Sequence, residues 1–363
     1  MKKIFMCPTG ATGTVWYRMV QTAQYINRNR IAEVAIPALE EKHRGLPRWE
    51  FPEHFSKQTE EIFYNIMINV DAAIFQAVHT KFAIAVLYAL KEKYKKPIYM
   101  DVDDHPFAIM SNHPSHKNIG PGTPIEWVAH KQAEMSDGII TSTKYLAKVL
   151  KQYNRPVYVI PNGIDFSFWE GLKKKRSKNG NVTIGWIGAG GHDHDLKVMK
   201  KVIPVILKKY KNARFCFVYG AYDLWKKFKN NPKVKFVIKW KPIAEYPQFI
   251  ASQGFDVGLA PLTDSAFNRA KSNLRWLEYS ALKIPTVASC VEPYRDTIDD
   301  GETGLLARTA DDWIKHLSNF IEDKQHRQKI GNAAYDKLKG TWSIKHISQM
   351  YIETLYKNGS EAL

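Results

Sequence analysis

The chain has 363 residues, 44% of them hydrophobic, with ten tryptophans, enough for two domains of ordinary size with buried cores. Its three cysteines, Cys7, Cys216 and Cys290, are odd in number and widely spaced, which excludes a disulfide framework or a cysteine zinc site and points to a reducing, cytoplasmic setting. No apolar run reaches the length of a membrane span, and the one that follows Lys2-Lys3 is too short for a signal peptide. A formal charge of +17 predicts attraction to polyanions, whether nucleic acid or an anionic membrane surface, so a peripheral membrane location stays open. The lysines spread over helices also read as solvated faces, and the cluster Lys173, Lys174, Lys175, Arg176 and Lys178 as a hydrated linker.

The first predicted strand, Lys3 to Cys7, runs into Pro8-Thr9-Gly10-Ala11-Thr12-Gly13 and then a helix containing Tyr17, Arg18 and Met19. Strand, glycine loop and helix in this order form a nucleotide-binding α/β unit. The G-x-x-G spacing is not the dinucleotide fingerprint, so a nicotinamide cofactor is not supported. Gly10 and Gly13 allow close backbone approach and Arg18 is expected to carry charge toward a cleft, with a plain tight turn as the alternative. Strands at Ala72 to Phe75, Ile98 to Val102, Gly138 to Thr141 and Val157 to Ile160, separated by helices, predict a parallel doubly wound sheet. Asp101-Val102-Asp103-Asp104-His105 ends one of these strands, at the sheet edge where α/β proteins present ligand-binding groups. Two readings of these residues compete there: a D-x-D metal site or a solvated acidic loop. Ser111 to Thr123, rich in proline and glycine, reads as a loop over the cleft.

Pro161-Asn162-Gly163-Ile164-Asp165 predicts a tight turn, with Gly163 in a conformation that other residues disfavour. A second α/β series follows, with strands at Val182 to Ile187, Arg214 to Tyr219, Val234 to Ile238, Val257 to Leu259 and Thr286 to Ser289. Helices are expected near 195–210, 243–252, 273–283, 311–322 and 325–338, and Ile344 to Tyr356 is amphipathic. After the first of these strands, Gly188-Ala189-Gly190-Gly191-His192 forms a loop whose N–H groups suit a diphosphate, with His192 as a hydrogen-bond donor. Leu259 to Leu262 reads as a strand end, Thr263 to Ser272 as a polar loop, and Leu274, Leu277, Ala281 and Leu282 recur at helical spacing from Asn273 onward. The free N–H groups at this helix start, at Ser272 and Asn273, suit phosphate, and Lys271 supplies a cation. Glu278, one turn inside, would repel phosphate and therefore fits neutral hydroxyls such as those of a ribose. Together they predict a nucleotide-diphosphate site.

The pattern N-x-x-K-S-x-x-x-x-x-E-Y-x-A-L-x-x-P from Asn268 to Pro285, together with P-N-G-I-D, resembles the retaining glycosyltransferases of GT-B fold, in particular family 4, over nearly the whole chain. The resemblance implies two Rossmann-like, doubly wound parallel-sheet domains facing a cleft. Residues 1–165 would form the acceptor side, where Asp103, Asp104 or His105 would orient the acceptor hydroxyl and take its proton, and 166–343 the nucleotide-sugar side, with a last helix at about 344–363 crossing back. Glu278 matches the second glutamate of the family's E-x7-E motif, while the first falls on Ala270. Ala189 and His194 stand where many members carry an arginine and a lysine for the diphosphate, which leaves Lys271, Lys239 or Arg269 to supply charge. Lys239-Trp240 lie where relatives hold the nucleobase, and Trp240 reads equally as core. The implied reaction moves a sugar from a UDP- or GDP-linked donor to an acceptor hydroxyl with retention, without metal or other cofactor. The acceptor would be a lipid, a polysaccharide, a protein or a modified DNA base flipped from its duplex. The alternatives are a sugar-nucleotide epimerase of the same fold and a degenerate module that binds nucleic acid or a partner without transfer.

Overall fold

The computed structural model describes residues 1–9, 13–37, 40–42, 46–48, 57–111, 116–175, 180–239 and 241–356. Fourteen strands are described, and twelve of them form two parallel sheets of six. The first sheet holds β1 (Lys3–Cys7), β2 (Glu33–Ala35), β5 (Ala72–Gln76), β6 (Ile98–Val102), β7 (Gly138–Thr141) and β8 (Val157–Val159) in the order β2-β1-β5-β6-β7-β8. The second holds β9 (Val182–Gly188), β10 (Ala213–Tyr219), β11 (Val234–Val237), β12 (Val257–Ala260), β13 (Thr286–Ser289) and β14 (Leu305–Ala307) in the order β11-β10-β9-β12-β13-β14. The short β3 (Glu40–Lys42) and β4 (Leu46–Arg48) pair antiparallel outside both sheets.

Burial on both faces explains why the central strands read as continuous apolar runs: Ile4, Phe5, Met6 and Cys7 are fully buried, as are Ile184 and Trp186. In each sheet the chain first winds one way and then the other. The reversal falls between β1 and β5 in the first sheet and between β9 and β12 in the second. The crevice outside the carboxyl ends of the strands at such a reversal is where open α/β sheets bind ligands. Those two points are the loop after β1 and the glycine loop after β9.

The helix Ile344–Tyr356 packs against the first sheet, burying Ile344, Ile347 and Tyr351 among Ile4, Met6, Met19, Ala23 and Ile26. It is tied to the P-N-G-I-D turn by Ile164 N–H to Trp342 O and Ile344 N–H to Ile164 O, at 2.9 and 2.8 Å. Gly163 is needed here for a different reason from the one expected. Its backbone is not left-handed; instead a Cβ would come within 2.5 Å of Ile347 Cγ1.

Several elements depart from the expected pattern. β2 and β14, three residues each, are too short to show a period, and the helix Tyr222–Phe228 was not anticipated. The loop Thr263–Ser272 contains a short helix, Ala266–Ala270, because the Ser265 hydroxyl accepts the Asn268 N–H at 3.2 Å as an N-cap. Ser111–Thr123 contains the helix His116–Ile119, while residues 112–115 lie outside the described residues, as do Arg176 and Lys178.

Candidate active site

Four loops at the carboxyl edge of the first sheet converge on one segment of the second half, Ala270–Glu278. After β1, Tyr17 donates its hydroxyl proton to Glu278 Oε1 at 2.8 Å. After β6, Asp104 lies 3.6 Å from the Lys271 ammonium. After β7, the Thr143 hydroxyl donates to the Ala270 carbonyl at 2.9 Å, and after β8, Asn162 Nδ2 donates to Ser272 Oγ at 3.0 Å. The carboxylate, cation and helix start singled out in the sequence thus face the first sheet's loops.

The helix after β1 reaches this segment through a wide turn. Gly13–Val15 is α-helical, Trp16–Val20 is a π-helix, and α-geometry resumes at Gln21–Arg28. A π-turn inserts an extra residue into a helix face and is common at functional sites. Here it holds two consecutive side chains in different jobs. Tyr17 crosses to Glu278, whereas Arg18 turns into the first sheet and is 1% exposed. The Arg18 guanidinium grips Asp101 bidentately, Nε to Oδ1 at 3.1 Å and Nη2 to Oδ2 at 2.6 Å, and also donates to Asn162 Oδ1. Tyr351 adds a third donor to Asp101 Oδ2 at 3.1 Å. Arg18 therefore carries no charge into the cleft; it is a positioning residue for the β6, β8 and C-terminal elements, because a buried ion pair must be matched internally.

Glu278 is 3% exposed and its second oxygen accepts the Tyr246 hydroxyl at 3.2 Å. Burial pushes its carboxyl up to about 7, against the two tyrosine hydrogen bonds and the nearby Arg275 charge. In this arrangement its acceptor positions are held by tyrosines, as hydroxyl groups of a ligand would hold them.

A second cation, Arg275, not singled out in the sequence, stands on the same helix as Glu278. Its Nε donates to the Ile187 carbonyl at 2.9 Å, its guanidinium lies 5.2 Å from the centre of the Trp186 ring, and a Cβ on Gly188 would come within 2.6 Å of Nη2. It thus lies against the start of the glycine loop. Its signal was the spacing of three residues before Glu278, which puts both on one helix face. Of the expected cations, Lys271 pairs with Asp104, Arg269 is held by Asp264, and Lys239 is exposed beyond the end of β11. Gly10 and Trp240 lie outside the described residues. Gly190 and Gly13 have open space where a Cβ would stand, and Gly191 is left-handed at φ 97°.

His192 Nδ1 lies 2.8 Å from Asp195 Oδ2, whose other oxygen accepts Thr263 N–H at 2.9 Å and Asn268 Nδ2 at 2.7 Å. Burial, with Arg275 beside it, pushes the imidazole down to about 4. The ring is therefore neutral near pH 7, and with Nδ1–H donated to Asp195 its Nε2 accepts. With Nδ1 turned to Asp195, any contact of the ring with a ligand falls to Nε2. Asn273 makes no side-chain cap; its Nδ2 donates to Thr297 Oγ1 at 3.1 Å, leaving the start of the helix Leu274–Ala281 without a side-chain cap.

On the other side, burial holds the Asp103 carboxyl above the ordinary carboxylate range, opposed by Arg18, and its Oδ1 has no hydrogen-bond partner among the described residues. His105 is 7% exposed, and its Nδ1 accepts the Phe107 N–H at 3.3 Å, which places the proton of the neutral ring on Nε2. Among the three acceptor-side candidates, Asp103 is thus the one with a buried carboxyl oxygen that lacks a hydrogen-bond partner among the described residues. Among the described residues no group of three or more His, Cys, Asp or Glu side chains is placed to hold a metal ion, and no helix is long and apolar enough to cross a membrane.

Comparison with known proteins agrees with this architecture. Residues 205–353 match a family model described as glycosyl transferase-like. Solved structures with the same fold include Anabaena HepE in complex with UDP-glucose, with a TM-score of 0.67 at 16% identity over 98% of this chain and all of that one. The catalytic domain of Arabidopsis thaliana starch synthase IV bound to ADP and acarbose gives 0.68 at 11% identity over 99% and 100% of the two chains. Sucrose-phosphate synthase from Thermosynechococcus elongatus gives 0.66 at 12% identity over 98% of each. No curated protein sequence matches the chain. The protein is a GT-B fold protein of two parallel six-stranded sheets. Its C-terminal half carries a glycosyltransferase-like domain.

Proposed function

We propose that the protein is a glycosyltransferase that moves a sugar from a nucleotide-diphosphate donor, retaining anomeric configuration and without a metal, to an acceptor hydroxyl. The observation that carries this reading is the convergence of first-sheet loops on Ala270–Glu278, with Arg275 against the glycine loop. In the proposed complex the ribose hydroxyls replace Tyr17 and Tyr246 on Glu278, and the diphosphate lies between the Gly188–Gly191 backbone and the guanidinium of Arg275. Lys271 and the uncapped N–H groups at Leu274 and Arg275 share its charge. Stabilising the negative charge on the departing nucleotide is the main catalytic term in such a site. Asp103 takes the acceptor proton, aided by the raised basicity that burial gives it. The HepE and starch synthase structures, with their UDP-glucose and ADP, support a nucleotide-linked donor.

The test is a panel of UDP-, GDP- and ADP-sugars incubated with lipid, oligosaccharide and DNA acceptors, with nucleotide release and product mass measured. Release from one donor, with a matching mass gain on one acceptor and loss of both in Glu278→Ala, supports the reading. Nucleotide binding without any transfer across the panel would favour the degenerate binding module instead.

A further inference from the structure

Residues 222–241 hold seven lysines against one acid, Asp223. Asp223 is already neutralised by Lys200 at 2.9 Å. The segment forms an outer corner of the second sheet. The helix Tyr222–Phe228 leaves β10, and because Val218 pairs with Val237, Ile238 emerges from the edge strand β11 level with Tyr219. Tyr222 is 57% exposed, Trp225 38% and Ile238 83%, the last being the most exposed large hydrophobic side chain among the described residues. Apolar groups and a dense single-sign charge therefore share one corner.

We propose that this corner docks on an anionic phospholipid surface. Three features favour lipid over the other polyanion, nucleic acid. Tyr222 and Trp225 stack on each other at 5.8 Å and 12°, and Lys226 and Lys229 lie over their rings at 4.3 and 4.9 Å, so the ring faces that bases would stack on are already covered. Ile238 offers an aliphatic group, which gains by entering the acyl boundary and gains nothing from phosphates. Lysine ammonium groups held beside aromatic rings match headgroup phosphates above a shallow apolar layer. The corner is also joined to the glycine loop, through Gly220 N–H to Gly188 O and Asp223 N–H to Asp193 Oδ1, both at 2.9 Å. Docking would therefore hold the mouth of the candidate site at the bilayer surface. The proposal stands whether or not the donor reading does.

The experiment is co-sedimentation of the full chain with vesicles of phosphatidylcholine alone or mixed with phosphatidylglycerol, beside fluorescence anisotropy with a short single-stranded oligonucleotide. Two variants are compared with wild type: Lys226→Gln/Lys227→Gln/Lys229→Gln, and Tyr222→Ser/Trp225→Ser/Ile238→Ser, each checked for folding by circular dichroism. The expected result is binding to the phosphatidylglycerol vesicles only, weakened by high salt. Removing three lysines should cost about a hundredfold in partitioning, at roughly fivefold each, and the apolar variant should also lose binding. If the apolar variant does not fold, the lysine variant decides. Failure to bind the anionic vesicles, binding that the lysine variant leaves intact, or oligonucleotide binding in place of vesicle binding would overturn the proposal.

Discussion

The Tyr17 hydroxyl donates to Glu278 Oε1 at 2.8 Å across 261 residues of chain, joining the helix behind the first strand to the helix that carries the candidate ribose carboxylate. Removing that hydroxyl separates two roles. Tyr17→Phe leaves a buried carboxylate oxygen short of a donor, which costs about 1–3 kcal/mol. Thermal unfolding should show a lower midpoint for this variant. Nucleotide binding should tighten, because the ribose no longer displaces Tyr17; weaker binding would mean that Tyr17 contacts the donor directly.

Burial raises the Glu278 carboxyl to about 7, and the ribose hydroxyls require its charged form. Donor binding should therefore release a proton and strengthen as pH rises through about 7, with the KM for donor increasing below that value. The pH dependence of kcat/KM for donor checks this, and a flat profile over about one pH unit either side of neutrality would count against it.

The same shift has a stability consequence. A carboxyl whose folded value lies above its unfolded value binds more protons when folded, so stability falls as pH rises from the unfolded value of 4.5 through about 7. Glu278→Gln removes this penalty and should raise stability at pH 8 by roughly 3 kcal/mol, with little gain near pH 4, while nucleotide affinity is lost. Denaturant titrations of wild type and variant at both pH values make the comparison.

The glycine loop Gly188–His192 carries no arginine or lysine, and Arg275 lies against its start. Arg275→Ala should lower kcat/KM by about 10²–10³, the usual cost of losing one transition-state charge partner. Gly188→Ala should produce part of the same loss without removing a charge, because the added Cβ would meet Arg275 Nη2 and the Trp186 ring, both at 2.6 Å, and push the guanidinium aside. Steady-state kinetics on the two variants, with folding confirmed, separate this account from a purely structural role.

Arg18 and Asp101 should behave in the opposite way. Asp101→Asn leaves a guanidinium buried beside a neutral partner, which costs about 3–5 kcal/mol. Melting should shift strongly downward while activity per folded molecule changes little. A variant that kept its melting point and lost activity would return Arg18 to the cleft.

These contrasts show how far the sequence could be read. The two parallel sheets were visible because their central strands, such as Lys3–Cys7 and Val182–Gly188, are long and apolar on both faces. The helix bearing Glu278 was visible from its period. Arg18 was misplaced because its partner Asp101 lies 83 residues away, and a cation behind a glycine loop looks the same in sequence whether it faces ligand or core. Gly163 was assigned to a turn conformation when its constraint is the distant Ile347. Arg275 is not legible in the sequence, where the charge missing at Ala189 and His194 points to Lys271, Lys239 or Arg269, because its contact with the Ile187 carbonyl spans 88 residues. The π-turn at Trp16–Val20 leaves no compositional trace.

The most direct measurement is a calorimetric titration of UDP, GDP and ADP into wild-type protein and into Arg275→Ala and Glu278→Ala. One nucleotide should bind the wild type, with both substitutions weakening it by about tenfold or more, as expected for losing a charge-assisted contact. Absence of binding by all three nucleotides, or binding that neither substitution affects, would contradict a nucleotide-diphosphate site between Arg275 and Glu278.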